Sequence, residues 1–404
     1  MLGFRAENFY NSNNIQLKII KKEAYSLMRE KQLLYIFILL TIFSGLFQVF
    51  ASEIVINESK ISTEKLLNMY KEDVLKREKT TKFIFKQPSL NFYTISNYFS
   101  QYLWKDGDMR VELKSYSISG NIGARNLCTD ITISSEFSEP DQQYNFVQNF
   151  ISKKLPEILK GAQNDIEKVW AINEWIKSWV DYDYSYKRST SYEAIVDRLS
   201  VCNGYAMLFY RIAKVAGLEV KFVTGTAKNS AYSGRHAWNA VKIDGKWYFV
   251  DVTWNDTEYS GNQYLLASYN DLSKSHRAET PLPQPLATEH YFDTLYKLVV
   301  NNKDVKAYEN IEKLYGYKLG FNKACLYNAV LEALQKGSST LIYDYNAFKK
   351  DFDDILNELF ESYNSSYTRV EFKKALGMDL WIFQINLSGT AKSNNLKPKN
   401  IFSY

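Results

Sequence analysis

Cysteine, proline and glycine are all scarce in this chain of 404 residues, at three, seven and 17. Three cysteines (Cys128, Cys202 and Cys325) leave room for at most one disulfide, and only a Cys128–Cys325 pairing stays open. No CxxC and no cluster of histidines and cysteines offers a zinc site, so neither a metal nor a cofactor is expected. Few prolines and glycines argue against long flexible linkers; three of the seven prolines fall in PLPQP at 281–285. Charge of one sign is lacking too. The net charge of +5 is concentrated at the start, where residues 1–51 carry six basic and three acidic side chains. That leaves 44 basic against 42 acidic over 52–404, which excludes the basic footprint of a nucleic-acid partner.

What is present is ordinary globular material, 46% hydrophobic and 24% charged, with length for two or three domains. Aromatics are abundant at 16%, with 31 tyrosines. They fit strand- and helix-rich packing, or in part a surface that faces sugar or peptide. One long apolar run, LLYIFILLTIFSGLFQVFA at 33–51, approaches the ~20 residues that cross a bilayer. Val49 and Ala51 stand where a signal peptidase expects small residues before Ser52, and Met28 offers an alternative start with a short charged region ahead of the run. Residues 1–52 are therefore expected to be a signal peptide or membrane anchor, and the rest extracytoplasmic, either secreted or held at the membrane through 33–51.

Periodicity organises the remainder. Segments 81–86, 108–118 and 130–137 read as strands, and 92–103 and 144–160 as helices, forming an N-terminal α/β module over 53–160. Asn164 caps a helix over 165–180, and GYAMLFYRIAKVAG continues as a helix from Cys202 to Gly217. Strands follow at 218–227, 236–243 and 246–254, the last two joined by an Asp244-Gly245 turn. A C-terminal module over 291–404 repeats strand, helix, strand and strand at 339–387, which suggests a diverged duplicate of the first.

Between 201 and 254 stand three strings: VCNGYA around Cys202, HAWNAV around His236 and WYFVDVTW around Asp251. Cysteine, histidine and aspartate are the residue types of a thiol nucleophile, its base and the group that orients the base. With Asp244-Gly245 at the turn, residue i pairs with 489 − i, so Asp251 falls opposite Trp238 and diagonal to His236 on one face. A helix starting at Cys202 directs its positive end at the sulfur and favours the thiolate.

These strings resemble the transglutaminase-like superfamily of papain-type thiol enzymes in its bacterial form. The resemblance covers about residues 163–260. It implies an α+β fold with a papain/transglutaminase-like core over 161–290, in which a Cys-bearing helix packs on an antiparallel sheet between smaller α/β modules. It also implies acyl transfer or hydrolysis at amide bonds of a protein or peptide, cell-wall peptide included, through a Cys202 acyl-enzyme. Trp238, Trp247 and Trp254 are candidate cleft walls, Trp238 and Trp254 also candidate substrate-binding residues. Asn203 is a candidate substrate-binding residue, although relatives often carry Gln there. His276, in NDLSKSH, resembles a histidine that often follows the core strands; it is read as surface or packing, and His290 carries no motif. A binding module that keeps the fold without catalysis is the competing reading, and oligomeric state stays open. N-terminal sequencing of the exported protein should return Ser52 if the leader is cleaved; recovery wholly in the cytosol would contradict the location.

Overall fold

The computed structural model describes residues 52–229, 232–257, 262–360, 366–374, 380–388 and 397–402. The apolar run at 33–51 and its cleavage site lie outside them, and among the described residues no helix is long and apolar enough to cross a membrane. The chain is α+β, and its described residues form three sheets of four or five strands and one two-stranded pair.

The first sheet is made by β1 (Ser52–Ile56), β2 (Thr80–Phe85), β3 (Leu113–Ile122) and β4 (Cys128–Phe137), in the order β1-β2-β4-β3. A helix, α1 (Thr63–Leu75), makes the crossover between the parallel pair β1 and β2. Two more, α2 (Phe92–Tyr102) and α3 (Gly107–Glu112), precede the β3–β4 hairpin. The strand expected from 108 therefore begins only at Leu113. Residues 107–112 are helical because Asp106 caps them, its carboxylate accepting from the Asp108 amide at 3.0 Å.

The core follows with α4 (Asp141–Ile158), α5 (Asp165–Trp179), the two-stranded pair β5 (Asp181–Tyr182) and β6 (Leu199–Ser200), α6 (Ser191–Val196) and α7 (Cys202–Val215). Then come β7 (Val220–Lys228), β8 (Ser233–Ile243) and β9 (Lys246–Val250), the short helix α8 (Val252–Asn255), and β10 (Leu265–Ala267), α9 (Tyr269–Leu272) and β11 (His276–Ala278). Their sheet is antiparallel, in the order β10-β9-β8-β7-β11. Asp244 and Gly245 both take positive φ at the β8–β9 turn, as a tight hairpin of this hand requires. The pairs Asn239–Val250 through Ile243–Lys246 keep the expected register. The apolar face of α7 buries Tyr205, Leu208, Phe209 and Ile212 against Phe222, Val241 and Val250 of the sheet.

Beyond α10 (Tyr291–Asn302) and α11 (Val305–Tyr315), a last sheet forms from β12 (Lys318–Leu319), α12 (Lys323–Lys336), β13 (Ser338–Asp344), α13 (Tyr345–Phe360), β14 (Ser366–Lys374) and β15 (Leu380–Ser388). Its order, β12-β13-β15-β14 with β12 parallel to β13, has the topology of the first sheet. The division expected at 290/291 does not follow the packing, however. Phe292, Leu295, Val299, Ile311 and Leu314 share one apolar cluster with Tyr205 and Val250, so α10 and α11 are packed into the core. Cys128 and Cys325 are free and buried, the first on β4 within the first sheet's apolar cluster and the second in the first turn of α12.

A buried ion cluster ties the first sheet's region to the core. Arg211, on α7, meets Glu112 at 3.0 Å and Glu139 at 2.9 Å and donates to Ser191 Oγ at 3.0 Å. Removing one partner of such a cluster leaves the others charged and dry. Arg211→Ala should destabilise by about 3–5 kcal/mol, whereas Lys82→Ala, which breaks an exposed pair with Glu53, should cost under about 1 kcal/mol. Urea denaturation of the two variants checks the contrast.

Candidate active site

Three elements of the core converge on one point. Cys202 is the first residue of α7, half-buried, behind Val201 at the cap. His236 lies on the central strand β8 and is buried, and Asp251 follows directly on β9. The strand expected to run through Asp251 to Trp254 stops at Val250. Asp251 instead caps α8, its Oδ1 accepting from the Trp254 amide at 3.2 Å. That turn fixes the carboxylate and leaves Oδ2 for the histidines.

His236 Nε2 donates to Asp251 Oδ2 at 2.7 Å, and the same ring is hydrogen-bonded to the Cys202 thiol. With Nε2 taken by the carboxylate, Nδ1 is the atom that faces sulfur. Burial alone would push the imidazole down. The Asp251 carboxylate first, and the Cys202 sulfur after it, outweigh that and hold His236 up to about 10. Burial likewise opposes the Asp251 charge, but His236 and His276 override it and keep the carboxyl well below its usual range. The arrangement is cysteine, imidazolium and carboxylate in hydrogen-bonded sequence, the parts that generate and steady a nucleophilic thiolate.

His276 is the residue that sequence reasoning undervalued. It is neither on the surface nor merely packed: its Nε2 lies 3.0 Å from Asp251 Oδ2, and its Nδ1 lies 2.7 Å from Ser275 Oγ. The one available signal was its place after the core strands, and no local spacing announces a residue delivered by the far edge of the sheet. His236, Asp251 and His276 together present donors of the kind that hold a metal ion. Their N–O separations of 2.7 and 3.0 Å are hydrogen-bond lengths, shorter than the ~3.3 Å between two ligands of a tetrahedral zinc. His290 is structural, its Nε2 donating to the Gln263 carbonyl at 3.0 Å and its Nδ1 accepting from the Phe292 amide at 3.1 Å.

The candidate cleft residues need correcting. Trp238 is 1% exposed and lies beneath the two imidazoles, 6.1 Å from His236 and 5.0 Å from His276 by ring centroids, where substrate has no access. Trp254 is also buried, edge-on to His276 at 4.5 Å and 5.4 Å from His236. Trp247 is buried in the same apolar cluster as Trp238, against Leu282 and Leu286, its backbone bonded to Pro285 and Ala287. Trp238 and Trp254 thus keep water from the histidines rather than line a groove. Asn203 spends its amide N–H groups on Ser189 O at 2.8 Å and Met207 Sδ at 3.2 Å, which fastens the preceding loop to α7. Gly204 is required there, since a Cβ would meet Ser200 Oγ at 1.9 Å.

Tyrosines take the exposed positions at the mouth. Asp183, buried in the 183–188 turn, accepts from the amides of Ser185, Lys187 and Arg188 and forces the turn outward, with Tyr186 at φ +58°. Tyr184 and Tyr186 are 81% and 67% exposed, with rings 5.1 and 6.4 Å from Tyr182. Burial first, and the nearby Cys202 sulfur after it, push the hydroxyls of Tyr182 and Tyr232 up, which places both rings beside the thiol.

Against known proteins, residues 153–252 match the model of the transglutaminase-like superfamily, and they form a transglutaminase-like domain. The chain is 29% identical to kyphoscoliosis peptidase of Mus musculus over 199 residues, 45% of this chain and 29% of that one. It is 35% identical to kyphoscoliosis peptidase of Homo sapiens over 118 residues, 26% of this chain and 18% of that one. The chain thus spans less than a third of either relative's length. Among solved structures it is similar to a TGase (17% identity, TM-score 0.27, 44% of this chain and 52% of that one). It is also similar to an arylamine N-acetyltransferase of Bacillus cereus described with a Cys-His-Glu triad (17% identity, TM-score 0.20, 26% of this chain and 49% of that one). Neither superposition is close enough to carry an inference.

The geometry makes the thiol's reactivity depend on His236. His236→Ala removes the group that takes the thiol proton and should slow iodoacetamide alkylation of Cys202 at neutral pH by about 100-fold. Asp251→Asn should slow it less, because the imidazole stays but loses its orientation. Peptide mass spectrometry reads the rate. The sign of the stability effect is also fixed. A histidine held up to about 10 contributes stability that is fully present below its ordinary value of about 6.5 and lost as pH rises through about 10. The urea midpoint should therefore fall over that window in the wild type and fall less in Asp251→Asn.

Proposed function

We propose that this protein is an extracytoplasmic thiol enzyme that acts on amide bonds of protein or peptide substrates through an acyl-enzyme on Cys202. The observation that carries the reading is the single imidazole of His236 bonded on one side to the thiol and on the other to a buried carboxylate. The Cys202 sulfur attacks the amide carbonyl and forms a carbon–sulfur bond. His236 then gives its proton to the leaving nitrogen as the carbon–nitrogen bond breaks, and later takes one from the water or amine that attacks the thioester. By helix geometry the amides of Cys202 and Asn203, first in α7, have no intrahelical acceptor and suit the oxyanion. The exposed tyrosines at the mouth supply rigid amphipathic contact of the kind polypeptides accept. The transglutaminase-like domain and the peptidase-named relatives support the class of substrate. The extracytoplasmic location rests on the 33–51 run alone and would bring cell-wall peptide within reach.

The test is mass spectrometry of a glutamine-containing peptide incubated with the protein, with and without a primary amine, against Cys202→Ala. Incorporation of the amine, deamidation or a cleaved peptide supports the reading and says which nucleophile ends the cycle. An unchanged peptide over a panel of such substrates, with no acyl adduct on Cys202, would leave a binding module that has kept the fold.

A further inference from the structure

The cysteine, histidine and aspartate do not close the hydrogen-bonded chain. Asp251 is fully buried, and its Oδ2 takes two ring nitrogens, His236 Nε2 at 2.7 Å and His276 Nε2 at 3.0 Å. A carboxylate can only accept, so His276 Nε2 carries a proton in this contact whichever way Ser275 Oγ is oriented toward Nδ1. We propose that His276 is a positioning residue for the thiol site: its Nε2–H fixes the Asp251 carboxylate in the orientation that directs Oδ2 at His236, and so sets the imidazole that faces Cys202. The proposal rests on the thiol-enzyme reading above and extends it to a fourth side chain.

Three features show that the fold goes out of its way to bring His276 there. It opens β11, an edge strand of three residues, at the opposite side of β7 from His236. Gly225 of β7 pairs with His236 on one flank and Ala278 on the other, and a Cβ there would meet the Arg277 carbonyl at 2.0 Å. The missing side chain allows β11 to close over the sheet and bring its histidine inward. Around the ring, Trp254 at 4.5 Å, Trp238 at 5.0 Å and Tyr264 at 5.7 Å exclude water. In a site this dry, an Oδ2 with His236 as its one donor would be under-satisfied, and the angle at which it meets the imidazole would be set from one side alone. The Trp254 amide holds Oδ1, and His276 holds the other side of Oδ2.

The experiment needs no substrate, so it separates this proposal from the choice of reaction. The rate of iodoacetamide alkylation of Cys202 is measured across the neutral to alkaline range for the wild type, His236→Ala, His276→Leu and His276→Gln. His276→Leu should slow alkylation at neutral pH by about tenfold and move the pH profile toward that of His236→Ala. His276→Gln keeps an N–H near the Nε2 position and should recover to within about threefold of the wild type. If His276→Leu does not fold, the ring N–H of His276 in the wild type still decides. It should appear by NMR as a slowly exchanging proton adjacent to that of His236, and a rapidly exchanging one overturns the proposal. A His276→Leu profile within twofold of the wild type overturns it, as does a Gln variant as slow as Leu, since bulk rather than the N–H would then matter. If His236→Ala alkylates like the wild type, the thiol–imidazole reading falls and this proposal with it. If His236→Ala is slow while His276→Leu is not, only this proposal falls.

Discussion

One buried negative charge organises the site. The Asp251 carboxylate has no contact with water, and a bare carboxylate in such surroundings is costly enough that it would take up a proton instead. It stays ionised because the Trp254 amide caps one oxygen and two imidazoles share the other. Much of the core's local architecture serves that requirement. The β8–β9 hairpin aligns His236 with the end of β9, the α8 turn presents an amide to Oδ1, and the short β11 strand brings His276 from across the sheet. The charge in turn keeps His236 protonated far above an ordinary histidine, and that proton makes the Cys202 contact chemically useful.

Much of this was legible in the sequence where the determinants are local. The Asp244-Gly245 turn fixes the hairpin register by itself, so the relation of His236 to Asp251 followed from counting. Asn164 marks a helix start through its side chain, which accepts from the Glu167 amide, and Gly217 marks a helix end by its positive φ. What was not legible depends on contacts between distant segments. Nothing near Asp251 shows that β9 ends before it, because the cap is made by its own side chain rather than by a breaker residue. Trp238 looks like a cleft wall beside the histidine, yet alternation on β8 turns it to the same face as His236, where His276 covers it. His276 itself arrives through β7–β11 pairing, which no spacing in the chain encodes.

The flanking regions show the same division between pattern and packing. Two sheets of matching topology stand on either side of the core, and the alternation of their strands was readable in advance. How they attach was not. The first is joined to α7 through Arg211 and its carboxylates, a cluster whose members are spread from Glu112 to Arg211. The last is joined through α10 and α11, whose apolar faces complete the core cluster itself. The tyrosine-rich turn at 183–188 is exposed for an equally non-local reason, because the buried Asp183 carboxylate gathers the backbone amides beneath it. The match to the superfamily model lies at 153–252, around Cys202 and His236, so the chemistry of the site is the firmest ground for assigning a role.

The most direct measurement is the protonation state of His236, read from its ring nitrogens by 15N NMR over a pH titration of the full chain. A carboxylate-held imidazolium beside the thiol should keep both ring protons from neutral pH up to about 10 and release one only beyond that. A ring that titrates near the ordinary histidine value of about 6.5 would contradict the account, because Asp251 would then not be holding a charge next to Cys202.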